Sequence, residues 1–326
     1  MEIREIIDQI VKDKAAVGGV KSVVWLAAGG SNGGNYPAQY FMDREAKTIR
    51  SQMFTSNEFV YAPPKFVNEN TIAVVTSMRG TPETCRAAQV AKDLGAATIG
   101  LYVQESLLTE TCDYNVKYDS IMFDESDQSK TNAALGMRIA IDIVDAVEGY
   151  ADYAEAMAAY DILDAVYNEA KAYCMPLAAA WAEQNKNERV ISVMASGPAF
   201  ASAYIFSICN IMEMLQIQSP TVNSCEFFHG PFEVLDEKES FFLLKAEGRT
   251  RPADERAETF LRQYGGDKVY VLDARELGIN RFADSVAEYF NHMLFSPILN
   301  NTYMKCLSAA TGEDYMTRRY MWKVKY

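Results

Sequence analysis

Three short apolar runs in the first half of this chain recur, in the same order, in the second half. Val23-Val24-Trp25-Leu26-Ala27-Ala28-Gly29 aligns with Ile191-Ser192-Val193-Met194-Ala195-Ser196-Gly197, an offset of 191 − 23 = 168. Ala73-Val74-Val75-Thr76-Ser77, followed by Gly80, aligns with Phe242-Leu243-Leu244-Lys245, followed by Gly248. Ala97-Thr98-Ile99-Gly100-Leu101-Tyr102-Val103 aligns with Lys268-Val269-Tyr270-Val271-Leu272-Asp273. Helical stretches separate the runs, Thr84–Gly95 in the first half and Ala253–Tyr264 in the second. Short strands that are apolar on both faces and alternate with helices specify a parallel sheet covered on two sides. The repeat therefore specifies an α/β chain of two doubly wound, flavodoxin-like units. At 326 residues the chain has the length for two domains of about 160 residues each, with expected bounds 1–165 and 166–326. The join falls in the helical stretch from about Asn132 to Asn185, which has no Pro/Gly-rich linker, so the units are expected to pack together.

Composition narrows the function. The formal net charge is −13, which argues against nucleic acid and against anionic membranes, since phosphate backbones demand a basic face. A small anion needs only a local nest of amides and stays compatible with an acidic chain. Ile191 to Met212 carries no charge, and its 22 residues could span a bilayer. Gly197-Pro198 divides it, however, into a short strand (Val190–Met194) and a helix (about Phe200–Leu215), the reading expected of a soluble protein. Cys85, Cys112, Cys174, Cys209, Cys225 and Cys306 form neither a CxxC pair nor a zinc knuckle. They read as free thiols in a reducing cytoplasm, and no metal or redox cofactor is expected. The charged start, Met1-Glu2-Ile3-Arg4-Glu5, lacks the order of a signal peptide.

Ligands of doubly wound sheets sit at the carboxyl ends of the strands, where strand order reverses. Two segments at such ends are rich in glycine and hydroxyls. Gly29-Gly30-Ser31-Asn32-Gly33-Gly34-Asn35 reads as an amide-rich anion loop; it fits neither a Walker loop nor the G-x-G-x-x-G spacing. Ser77-Met78-Arg79-Gly80-Thr81-Pro82 places Ser77, Thr81 and the Gly80 amide beside a helix start, with Arg79 as a charged neighbour. Two such loops on adjacent strands suit a monophosphate. The second constellation is sparser. Between Val190 and Cys225, Glu213 is the only charged side chain. His229, one of two histidines in the chain, follows on the turn Cys225-Glu226-Phe227-Phe228-His229-Gly230-Pro231. A carboxylate on an apolar helix gains proton affinity from burial, and histidine exchanges protons near neutrality. Together they read as an acid/base pair. The other histidine, His292, and Trp25 read as packing residues.

These residues resemble the SIS (sugar isomerase) family. The resemblance rests on the two-fold repeat, the Gly29–Gly34 segment, Ser77-x-x-Gly80-x-x-Glu83, the Glu226-x-x-His229-Gly230-Pro231 turn and the spacing 229 − 213 = 16 between Glu213 and His229. It covers the whole chain as two SIS domains, like the isomerase half of glucosamine-6-phosphate synthase. The ending Arg318-Arg319-Tyr320 is similar to that of the fructosamine-6-phosphate and fructoselysine-6-phosphate deglycases. The resemblance implies that Gly29, Gly30, Ser31, Ser77, Gly80 and Thr81 hold a sugar 6-phosphate. Arg79 stands where many relatives have a second serine, facing the phosphate or a substrate carboxylate. It also implies that Glu213 moves a proton between C1 and C2 and that His229 serves the ring or C2 oxygen. Ser129, Glu226, Lys323 and Lys325 are further candidates; Glu226 reads as a support for the turn, and the lysines as counterparts of the synthase's ring-opening lysine. His229 is expected to come from a neighbouring subunit, which makes the protein a homodimer or larger. Aldose–ketose isomerisation or glucosamine-6-phosphate deamination is the alternative chemistry. A non-catalytic sugar-phosphate sensor is the alternative class, disfavoured because no basic DNA-binding domain is expected here.

Overall fold

Each apolar run forms a strand, and each half of the chain forms its own parallel sheet. In the computed structural model, which describes residues 1–326 except Asp124 and Tyr326, β1 (Ser22–Ala27), β2 (Arg50–Thr55), β3 (Thr71–Thr76), β4 (Ala97–Tyr102) and β5 (Tyr114–Lys117) are ordered β2-β1-β3-β4-β5. β6 (Ile191–Ala195), β7 (Thr221–Asn223), β8 (Ser240–Lys245) and β9 (Val269–Asp273) are ordered β7-β6-β8-β9. The second sheet thus repeats the order of the first four strands. In each, strand order reverses between the two most fully buried strands, β1 and β3 or β6 and β8. The chain divides into two compact units, Met1–Ala158 and Ala159–Tyr326.

Three strands have no counterpart in the apolar pattern: β2, β5 and β7. All three are edge strands. β2 (Arg-Ser-Gln-Met-Phe-Thr) is exposed at both ends, and β7 has only three half-buried residues. An edge strand pairs on one side only, so it needs no continuous apolar sequence.

The core of the first unit packs Val24, Leu26, Ala73 and Val75 of the sheet against Ala87, Ala88 and Ala91 of the helix Pro82–Asp93. Trp25 is fully buried, and its indole N–H donates to Ser51 Oγ at 2.9 Å. In the second unit, Trp181 of the helix Tyr153–Asn185 meets Phe242 of β8 edge-on, ring centroids 5.1 Å apart. Such aromatic pairs add about 0.5–1.5 kcal/mol each beyond the area they bury. His292 is buried, with Nδ1 2.8 Å from Ser202 Oγ, and burial pushes its imidazole down to about 3. It stays neutral and serves packing.

The uncharged segment from Ile191 is divided by a short 3₁₀ turn, Gly197–Ala199, into β6 and a helix. Among the described residues no helix is long and apolar enough to cross a membrane. The helix has an unusual winding: regular from Phe200 to Ile205, it continues as a π-helix from Phe206 to Met214. A second π segment, Leu299–Met304, packs against it. A buried amide chain joins them. Asn210 donates to Asn300 Oδ1, Asn300 to Asn301 Oδ1 and Asn301 to the Tyr167 hydroxyl, each at 2.9 Å. Wide π turns are rare and occur most often where function displaces a side chain from its α register. Glu213 lies at the end of the first segment.

Candidate active site

In the first unit, the carboxyl ends of β1 and β3 are adjacent and parallel. The expected anion loop after β1 is not a loop. Gly29 to Glu45 is one α-helix that begins directly at Gly29, with Asn32, Gly33, Gly34 and Asn35 buried. Glycine's poor helix propensity is overridden by packing. A Cβ on Gly34 would lie 2.1 Å from Asn132 Nδ2, so only glycine admits the close approach of the helix Asn132–Glu148. The anion-binding potential survives in another form. Ala28 offers no side-chain cap, so the first-turn amides of Gly30 and Ser31 open an uncapped helix N-terminus. Ser31 is half-buried and hydrogen-bonds the Tyr118 hydroxyl.

The Ser77 turn is a loop as expected. Ser77 is buried, and its Oγ accepts the amides of Gly80 and Thr81, both at 3.1 Å. Gly80 has φ +69°, and a Cβ there would lie 2.2 Å from Ser106 Oγ, so glycine is required. Thr81 Oγ1 donates to Thr84 Oγ1 at 2.9 Å just before the helix Pro82–Asp93. Arg79 is exposed, with no ion pair among the described residues. Ser129 sits apart from this turn in sequence, in a short 3₁₀ element (Gln128–Lys130), where Asp127 binds its hydroxyl at 2.6 Å.

The equivalent strand ends of the second unit are closed by their own charges. Arg251 pairs with Asp273 of β9 at 2.7 Å, and Arg249 with Glu288 at 2.7 Å. The Arg251 pair holds the Asp273 carboxyl down at about 2. Asp254, buried beside Ser196 and Ser224, is pushed up by burial to about 6. The repeat is therefore symmetric in topology and asymmetric in the charges at its strand ends.

Glu213 lines a separate cleft of about 420 Å³ within the second unit. Its carboxylate is not alone. Arg318 Nε donates to Glu213 Oε1 at 2.9 Å, bridging 105 positions of sequence. The apolar pocket expected around this group is thus replaced by a charged partner from the Arg-Arg-Tyr tail. Arg319, Tyr320 and Met321 complete that wall, with Gln216, Ile217 and Gln218 opposite. Neither Lys323 nor Lys325 lines the cleft; both are exposed. Among the described residues, the two non-glycine residues with positive φ both belong here: Gln216 in the cleft wall (φ 60°) and Trp322 (φ 61°), whose ring lies 5.9 Å from the Arg318 guanidinium. Left-handed backbone at such residues costs energy and collects at functional sites.

His229 is exposed and is not among the residues lining the Glu213 cleft. Its backbone is nonetheless firmly held. The His229 amide donates to the Glu226 carbonyl at 2.9 Å, so Glu226 supports the turn through its main chain. Phe227 is fully buried, and Phe228 meets Phe260 edge-on, centroids 5.4 Å apart. Phe232 closes the cluster against Phe260 at 5.7 Å. The imidazole thus projects into solvent from a turn bolted down by aromatic rings, and it has no hydrogen-bond partner among the described residues.

Two parallel sheets of repeated order, with an uncapped helix N-terminus and a serine turn at one switch point, are the architecture of the sugar-isomerase class. A crystal structure of a candidate phosphosugar isomerase from Salmonella typhimurium LT2 superposes with a TM-score of 0.94, at 38% identity over 99% of both chains. The C-terminal domain of glucosamine–fructose-6-phosphate aminotransferase from Francisella tularensis shares the fold at a TM-score of 0.76, with 14% identity over 96% of this chain and 95% of that one. No protein-family model matches the chain. Fructosamine deglycase FrlB of Bacillus subtilis (strain 168) is 36% identical over 309 residues, 94% of this chain and 93% of that protein. The chain belongs to the double-SIS family that includes the fructosamine deglycases, and it is an SIS-type enzyme.

Proposed function

We propose that this enzyme is a fructosamine-6-phosphate deglycase, which converts a 6-phosphofructosyl-amine to glucose 6-phosphate and the free amine. The observation that carries the reading is Glu213: the one charge of an otherwise neutral segment, set on a cleft by a π-helix, in a chain 36% identical to a fructosamine deglycase. The turn of Ser77, Gly80 and Thr81 and the helix start at Gly29, Gly30 and Ser31 take the 6-phosphate. Glu213 removes a proton from C1 of the open-chain ketoamine, giving an enaminol, and returns it to C2. The product is the C1 imine, and water hydrolyses it to the aldose and the amine. His229 serves the oxygen at C2 or in the ring. Its exposure and lack of a partner support its delivery from a second subunit, so the enzyme works as a homodimer or larger. We place it in the cytoplasm, where its thiols stay reduced.

The test is incubation with a panel of 6-phosphorylated fructosamines, with glucose 6-phosphate and free amine measured together. Both should appear in equal amounts. Interconversion of ketose and aldose phosphates without amine release would overturn the reading in favour of an isomerase. Binding without turnover would make the protein a sensor. Ser77→Ala should raise KM for the phosphorylated substrate by about ten- to a hundredfold, since each lost hydrogen bond to a charged group costs roughly 1.5–3 kcal/mol. Binding of the unphosphorylated sugar should not change, and equal weakening of both sugars would remove the phosphate from this turn.

A further inference from the structure

Arg318 is held by three hydrogen bonds. It is 7% exposed, whereas its neighbour Arg319 is exposed. One guanidinium nitrogen, Nη1, donates to the carbonyls of Tyr315 at 2.6 Å and Thr317 at 3.2 Å. The Trp322 ring lies 5.9 Å away. Around it the tail is turned on itself, Thr317 N–H to the Asp314 carbonyl at 2.8 Å and Lys323 N–H to the Tyr320 carbonyl at 2.9 Å. Nε in turn donates to Glu213 Oε1 at 2.9 Å. The other carboxylate oxygen, Oε2, has no partner among the described residues.

A guanidinium held by its own backbone is a rigid donor, and a rigid donor on one oxygen removes the torsional freedom of a glutamate side chain. We propose that Arg318 is the positioning residue for the base: it clamps Oε1 and aims Oε2 into the cleft. The inference rests on the deglycase reading, because it assigns a role relative to Glu213 as base. It also gives the Arg-Arg-Tyr tail a chemical task, and it accounts for a lone carboxylate in an apolar segment having no basic residue near it in sequence. The titratable and charged groups lining the cleft with Glu213 are Arg318, Arg319 and Tyr320; Met212, Gln216, Ile217, Gln218 and Met321 do not titrate.

Two neutral variants, Arg318→Met and Arg318→Gln, test it against the wild-type enzyme on whichever fructosamine 6-phosphate that enzyme turns over. Loss of the clamp should lower kcat roughly a hundredfold, the scale of a small misplacement of a catalytic group, while KM changes little. Arg318→Lys keeps a donor on the same side of Glu213 and should recover part of the lost kcat. Glutamine is polar but too short to keep the contact with Oε1, so it reports on the clamp even where methionine fails to fold. A kcat equal to wild type in the glutamine variant, or a KM that rises in step with the fall in kcat, overturns the proposal and leaves Arg318 as an anchor for the tail. If the wild-type enzyme releases no amine from any of these compounds, the deglycase reading itself fails, an outcome separate from either result with the variants.

Discussion

Glu213→Gln should reduce kcat by about 10²–10⁴-fold, the usual worth of a positioned general base, while sugar-phosphate binding persists. The substitution is isosteric, and the amide oxygen can still accept from Arg318 Nε, now 2.9 Å from Oε1. The buried contact of Asn210 with Asn300 does not involve the carboxylate, so the helix should keep its course. What disappears is the one carboxylate among the described residues lining the cleft. Some stability should be lost as well, because Arg318 is left buried without its counter-charge. Thermal unfolding and a phosphate-analogue titration separate that loss from the loss of chemistry. Wild-type turnover by the glutamine variant would remove Glu213 from the mechanism.

His229→Ala should be comparably inactive, yet unfold at the wild-type temperature. The side chain is exposed and without a hydrogen bond among the described residues, and the turn is held by Phe227, Phe228 and Phe232 instead. A large drop in melting temperature would mark a structural histidine. A mixing experiment goes further. In a homodimer whose sites pair Glu213 of one subunit with His229 of the other, an equal mixture of Glu213→Gln and His229→Ala chains, refolded together, regenerates one intact site in each mixed dimer. Random association makes half the dimers mixed, so activity should return to about a quarter of wild type. If both groups act from one chain, the mixture stays inactive.

The fold was legible where burial is two-sided. β1, β3 and β6, buried on both faces, had to be mostly apolar, and their repetition revealed two like units. β2, β5 and β7 were not legible, since an edge strand such as Arg-Ser-Gln-Met-Phe-Thr satisfies its sheet without an apolar pattern. The Gly29–Gly34 segment misled for a different reason. Glycine usually signals a loop, but here it makes room for Asn132 on a neighbouring helix, a contact about a hundred positions away in sequence. At the site, Glu213 and His229 stood out because each is isolated in its stretch of chain. The partner of Glu213 could not be inferred from its neighbourhood, because it lies 105 positions downstream. The phenylalanines around His229 were visible as residues, but their role in anchoring the turn emerges only when Phe260 is brought beside them.

The winding beneath Glu213 also limits how this segment can be shortened. An α-helix turns about 100° per residue, and a π segment holds its extra residue by bulging. Deleting one residue, such as Ile208, would let the stretch relax into an ordinary helix with closer backbone bonding. The cut would also shift Asn210 and Glu213 relative to Asn300 and Arg318, the groups they meet. The trimmed protein should melt below its parent, since a buried amide pair is broken, and should lose its turnover. One surplus amino acid thus underlies both the cohesion of this layer and the reach of its carboxylate.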